Sequence, residues 1–169
     1  AAIVSRLTGG IGTLLSKNGV AVVHGSAKFK TANTVEVTGK DGTQILEADD
    51  VVIATGSTPI ELPGFKFDEA DVWSSTGALA PDRIPAHIVV IGGGYIGLEF
   101  GCMYRKLGSE VTVLEATDGA LPGQDRDCVK VIERSLKKSK VKLYTNTFAR
   151  GYERDGDTLR CASSEPARK

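Results

Sequence analysis

An α/β fold built on a parallel sheet is what the sequence predicts, and three observations carry it. Apolar runs of strand length alternate with segments of helical spacing from residue 86 onward. A glycine-rich turn, Gly92-Gly93-Gly94-Tyr95-Ile96-Gly97, joins the first of those runs to the first helical segment. An acidic residue, Glu115, closes the next apolar run roughly 20 residues later.

From the N-terminus, residues 1–17 place Ile3, Val4, Leu7, Ile11, Leu14 and Leu15 at helical spacing, interrupted by Gly9-Gly10. Val20 to Val23 reads as a short strand closed by His24-Gly25. Phe29 and Thr34 to Thr38 suggest further strands, and Gly39-Lys40-Asp41-Gly42 reads as a hairpin turn from which Gln44 to Leu46 pairs back. Asp50 to Thr55 has the pattern of a buried strand stopped by Gly56. Residues 56–86 hold Pro59, Pro63, Pro81 and Pro85 and read as a connection. The domain division expected is therefore 1–57, a connection over 58–85, and a second domain over 86–169.

That second domain is expected to run strand 87–91, helix 95–107, strand 110–115, helix 125–138 and strand 140–145, a parallel arrangement with right-handed crossovers. Asp125 is placed to cap the second helix, and Lys137 and Lys138 suit its C-terminal dipole. Residues 150–169 are polar and charged and read as a tail without a final strand.

The glycines match the G-x-G-x-x-G pattern at Gly92, Gly94 and Gly97. Gly92 serves the tight turn, Gly94 lets backbone approach a pyrophosphate, and Gly97 lets the helix pack close to the sheet. The helix N-terminus then offers unpaired N–H groups and a positive dipole end to phosphates. A carboxylate at Glu115 accepts the adenosine ribose hydroxyls and repels a 2′-phosphate. The expected cofactor of this Rossmann-like domain is NAD rather than NADP.

Composition excludes several classes. Lys plus Arg and Asp plus Glu both number 21, so no bulk field favours nucleic acid or an anionic membrane. No apolar run approaches a membrane span, and AAIVSRLTGG lacks the order of a signal peptide. Cys102, Cys128 and Cys161 have no redox-pair or zinc spacing, so neither a disulfide framework nor a metal site is expected. Cys102 reads as a packing residue, and His24 and His87 have no acid–base partner in sight. No catalytic residue is assigned.

VVIATGS at 51–57, Ser-Ser-Thr-Gly-Ala-Leu at 74–79 and IVVIGGGYIGLEFG at 88–101, in this order, resemble the middle of a flavoprotein disulfide reductase, and most of all the dihydrolipoamide dehydrogenase branch. The resemblance runs from LTGGIGTLL at 7–15 to EPAR at 165–168. It implies that residues 1–57 are part of an FAD-binding domain. Thr55-Gly56 would pass near the flavin, and Ala27 would meet the FAD adenine. In the NAD domain it implies cofactor contacts at Gly92, Gly93, Gly94, Tyr95, Ile96 and Gly97. Tyr95 would gate the nicotinamide pocket, Glu99 would lie beside the nicotinamide, and Phe148 would sit at the adenine side.

The family's FAD-pyrophosphate glycine motif, its redox C-x-x-x-x-C and its His-Glu base are not in the sequence. The resemblance thus implies an internal stretch of a longer enzyme that oxidises dihydrolipoamide with NAD through FAD and a disulfide, the stretch itself being inactive. It further implies a homodimeric parent serving lipoyl domains of 2-oxoacid dehydrogenase complexes, in the cytoplasm or alternatively the mitochondrial matrix. Rival readings are another NAD(P)H flavoprotein disulfide reductase and an NAD-binding regulatory module without redox chemistry. The acidic Glu115-Ala116-Thr117-Asp118 disfavours an NADPH-dependent relative. The A-T-G turn disfavours a bare sensor.

Overall fold

The structure is a computed structural model and describes residues 2–164. It divides into two compact units, Ala1–Gly56 and Ser57–Lys169. EPAR at 165–168 lies outside the described residues.

In the first unit, α1 (Ala2–Lys17) is one continuous helix, and Gly9-Gly10 does not break it. Its Ile3, Val4, Leu7, Ile11 and Leu14 are all exposed. β1 (Ser26–Thr31), β2 (Thr34–Gly39) and β3 (Gly42–Glu47) form an antiparallel sheet in that order. The hairpin closes with Gly39 opposite Gly42, as the glycine turn predicts. The Asn33 side chain donates to the carbonyls of Ala48 and Asp49 and pins the chain leaving β3.

Two expected strands do not form. Val20–Val23 and Asp50–Thr55 carry no ladder pairing, and Val52 is 88% exposed. A parallel, buried strand is stable only with hydrogen-bonded neighbours and covered faces. Among the described residues no strand pairs with either segment.

The second unit holds the parallel sheet. β4 (His87–Ile91), α2 (Tyr95–Lys106), β5 (Glu110–Leu114), α3 (Arg126–Lys138) and β6 (Lys142–Tyr144) follow the expected order. β5 is central, parallel to β4 on one side and to β6 on the other. Its Val111 and Val113 are fully buried. Leu98, Gly101 and Tyr104 turn one face of α2 onto them. Gly101 faces the same two valines, and a Cβ there would lie 3.5 Å from Val111 Cγ1, an ordinary contact. Val129 and Leu136 of α3 complete the core. The Asp125 cap is present, with its carboxylate accepting from the amides of Asp127 and Cys128.

The proline-rich stretch lies within this second unit. Trp73 packs on the core and Ala78 is part of it. The buried Tyr104 hydroxyl donates to the Ala78 carbonyl at 2.7 Å.

The expectation of a polar tail after residue 150 is overturned. β7 (Phe148–Asp155) and β8 (Thr158–Ser164) form an antiparallel hairpin, turning at Gly156 with φ +59°. Arg160 pairs with Asp155 beside the turn, both side chains remaining exposed. Phe65 meets Tyr152 of β7 with ring centroids 6.0 Å apart. Among the described residues no helix is long and apolar enough to cross a membrane.

Candidate nucleotide-binding site

The site begins where β4 ends. Gly92 adopts φ +104°, a conformation that side chains disfavour, and its amide donates to the Leu114 carbonyl at 2.8 Å. The turn is thereby tied to the end of β5. At Gly97 a Cβ would lie 2.2 Å from the Gly92 carbonyl oxygen and 3.1 Å from Val90 Cγ1. Helix and turn meet there with no room for a side chain.

Gly94 is different. Its φ is −73°, an ordinary value, and a Cβ there would meet nothing within 4 Å. The space over Gly94 is open, and α2 begins directly after it without a side-chain cap. First-turn amides of a helix have no intrahelical partner. Those of α2 therefore face open space at the positive end of the helix dipole, which is the environment that a pyrophosphate requires.

Glu115 is 6% exposed, and each of its oxygens accepts one backbone amide. Its Oε2 accepts from the Gly93 amide at 2.7 Å, and its Oε1 accepts from the Thr117 amide at 2.7 Å. Burial works to raise the carboxyl, but the Thr117 and Gly93 amides outweigh it and hold the group below its ordinary 4.5. The carboxylate is thus charged and fixed in direction. Each oxygen keeps a second lone pair for a further donor. Gly93 serves the acid sterically as well, because a Cβ there would lie 3.0 Å from Glu115 Cβ.

The surrounding loop is knitted to the same point. The Leu121 amide donates to the Gly93 carbonyl, Asn146 to Thr117 and Thr147 to the Glu115 carbonyl. This last bond brings Phe148, the next residue, to the end of β5 that carries Glu115. Phe148 is exposed, with the Arg150 guanidinium 5.2 Å from its ring centroid. Tyr95, Ile96 and Glu99 are exposed on the first turns of α2. Tyr95 and Glu99 are four residues apart and share a helix face.

The second unit therefore gathers Gly92, Gly93, Gly94, Tyr95, Ile96, Gly97, Glu99, Glu115 and Phe148 around the C-terminal ends of β4 and β5, where open α/β sheets bind ligands. Ala27, in β1, and Thr55-Gly56, after β3, belong to the first unit. All three are exposed, and no described contact joins Ala27 to the other two. One participant has no signature in the sequence, the Thr117 amide on Glu115.

Cys102, Cys128 and Cys161 are free, and burial raises the Cys161 thiol. His87 bonds Thr112 at 2.9 Å across β4 and β5, a structural role. Among the described residues no cluster of His, Cys, Asp or Glu could hold a metal ion.

Comparison with known proteins agrees with this fold. The chain is 46% identical over 162 residues to dihydrolipoyl dehydrogenase of Bacillus subtilis (strain 168), covering 94% of this chain and 34% of that protein. It is 45% identical over 161 residues to dihydrolipoyl dehydrogenase of Geobacillus stearothermophilus, with the same coverage of 94% and 34%. Among solved structures, LpdA from Mycobacterium tuberculosis superposes with a TM-score of 0.81 at 30% identity, covering 96% of this chain and 37% of that one. The HOCl-induced flavoprotein disulfide reductase RclA from Escherichia coli gives 0.71 at 28% identity, with coverage of 94% and 38%. The chain spans about a third of the length of these curated relatives. The pyridine nucleotide-disulphide oxidoreductase family matches residues 2–168, so that glycine turn, buried acid and parallel sheet have a common explanation: the chain belongs to this family.

Proposed function

We propose that this chain is the NAD-binding portion, with part of the FAD-binding portion, of a flavin-dependent dihydrolipoamide dehydrogenase. The whole enzyme would oxidise dihydrolipoamide to lipoamide and reduce NAD to NADH. FAD, when bound, supplies the two-electron relay between the thiols and the nicotinamide. This chain's own residues bind and orient. The α2 N-terminus and the open face of Gly94 receive the pyrophosphate, and Glu115 accepts from the adenosine ribose hydroxyls. Tyr95 and Glu99 line the nicotinamide end, and Phe148 flanks the adenine. Ala27, Thr55 and Gly56 contribute to the FAD side.

The observation that carries the reading is the buried Glu115 carboxylate, held by the Gly93 amide beside a glycine turn left open at Gly94. The relatives named dihydrolipoyl dehydrogenase support the choice of substrate. The likeness to RclA keeps another flavoprotein disulfide reductase as the second reading. A homodimer serving lipoyl domains, in the cytoplasm, completes the proposal. The three free cysteines suit a reducing compartment.

The test uses the intact, FAD-loaded protein carrying Gly94→Val. The branched side chain would fill the space that the pyrophosphate needs. Flavin absorbance should persist while NADH titration shows no binding. Unchanged NADH affinity would show that this turn is not the phosphate site.

A further inference from the structure

Charge is not spread evenly over this neutral chain. Residues 126–142 hold seven basic residues against two acids, Asp127 and Glu133, although Lys plus Arg and Asp plus Glu both number 21 in the whole sequence. The segment spans α3 and the start of β6. Between these elements lies a groove of about 660 Å³, and Arg126, Lys137 and Lys140 line it. All three are exposed, and among the described residues none has an ion-pair partner. Of the acids in the lining, Glu133 is engaged by the Ala120 amide.

Lys140 is held there against the preference of its backbone. It has φ +61°, the left-handed conformation that favours glycine. Its amide donates to the Lys137 carbonyl, and the Val141 amide donates to the Leu136 carbonyl. These are the paired bonds of a glycine-type helix cap, with a lysine in the glycine's place. Glycine would close the cap with less strain, so the fold itself does not call for a cation at this position. β6 pairs with β5 on one side, and no described strand lies on the other. An open edge offers backbone donors and acceptors to an incoming strand. Lysines beside it repel another basic edge and attract an acidic one. Leu143 and Tyr144 of β6 add apolar surface to the groove.

We propose that the groove between α3 and β6 is a docking surface for an acidic, extended segment of a partner protein. The segment adds beside β6 and sets its carboxylates against Arg126, Lys137 and Lys140. The strand edge supplies main-chain hydrogen bonds, and the cations supply the preference for acid. A nucleic acid fits less well. It has no peptide backbone to continue the sheet, and its phosphates would meet Asp118 in the lining.

The experiment measures fluorescence anisotropy of a labelled peptide of alternating glutamate and valine, titrated with the intact FAD-loaded protein. Its companions are the same peptide with lysine for glutamate, one with N-methylated amides, and a labelled single-stranded oligonucleotide. The acidic peptide should bind, and raised salt should weaken it. The three companions should bind more weakly. Lys137→Ala combined with Lys140→Gly should weaken the acidic peptide by about tenfold at unchanged NADH affinity. Lys140→Gly alone should weaken the peptide while leaving the melting temperature unchanged or higher, which separates lost binding from lost folding. Equal peptide affinity in the double variant, equal binding of the N-methylated peptide, or tighter binding of the oligonucleotide would overturn the inference. So would an acidic peptide that does not bind.

Discussion

Three glycines of one motif act for three different reasons, and substitutions separate them. Gly94 borders open space, so Gly94→Val should leave the melting temperature nearly unchanged while removing NADH binding. Gly97→Ala should lower both, because its methyl would meet the Gly92 carbonyl oxygen, and backbone cannot move aside cheaply. Equal melting temperatures for the two variants would refute the distinction. Glu115 carries a pH signature. Its folded carboxyl lies below the ordinary 4.5, so the stability it contributes is present above that value and is lost as pH falls through the lower, folded one. The melting-temperature advantage over Glu115→Gln should therefore hold at about pH 7 and shrink as pH falls below 4.5. A constant difference across that range would contradict the sign. The motif residues were legible in sequence because spacing alone defines them. Thr117 was not, because an amide on a carboxylate leaves no periodic trace.

Elements were legible where local pattern and tertiary pairing agree. β4, α2, β5, α3 and β6 came through because each apolar run meets a partner inside the chain. The β7–β8 hairpin escaped because Arg150, Glu153, Arg154 and Asp155 look like a solvated run. Its signal was the turn at Gly156, flanked by Tyr152 and Leu159. The tie between α2 and the proline-rich stretch offers an element-scale test. Tyr104→Phe leaves the buried Ala78 carbonyl without its donor, a loss of about 1–3 kcal/mol. Chemical denaturation of the intact protein should show it as a lower midpoint with an unchanged slope. An unaltered midpoint would mean that the Ala78 carbonyl finds another donor and that the tie carries no net stability.

At the scale of the molecule, the glycine turn left open at Gly94 comes without a pair of cysteines. Cys102, Cys128 and Cys161 stand singly, and His87 is bonded to Thr112. Supplied with dihydrolipoamide, FAD and NAD, the 169-residue polypeptide should reduce no NAD. Turnover that follows the purified chain would overturn that expectation. The unpaired segments of the first unit have another consequence. Val22–Val23 and Val51–Ile53 are β-branched, uncharged and free of proline, and no strand pairs with them among the described residues. Such segments are templates for cross-β assembly. The isolated polypeptide should form thioflavin-positive aggregates on standing. Val52→Lys should delay them at no cost to packing, since Val52 touches so little. Identical lag times would place the hazard elsewhere. A growing chain presents these same valines to its neighbours on a polysome, so holding them apart until partner strands arrive becomes a task for chaperones.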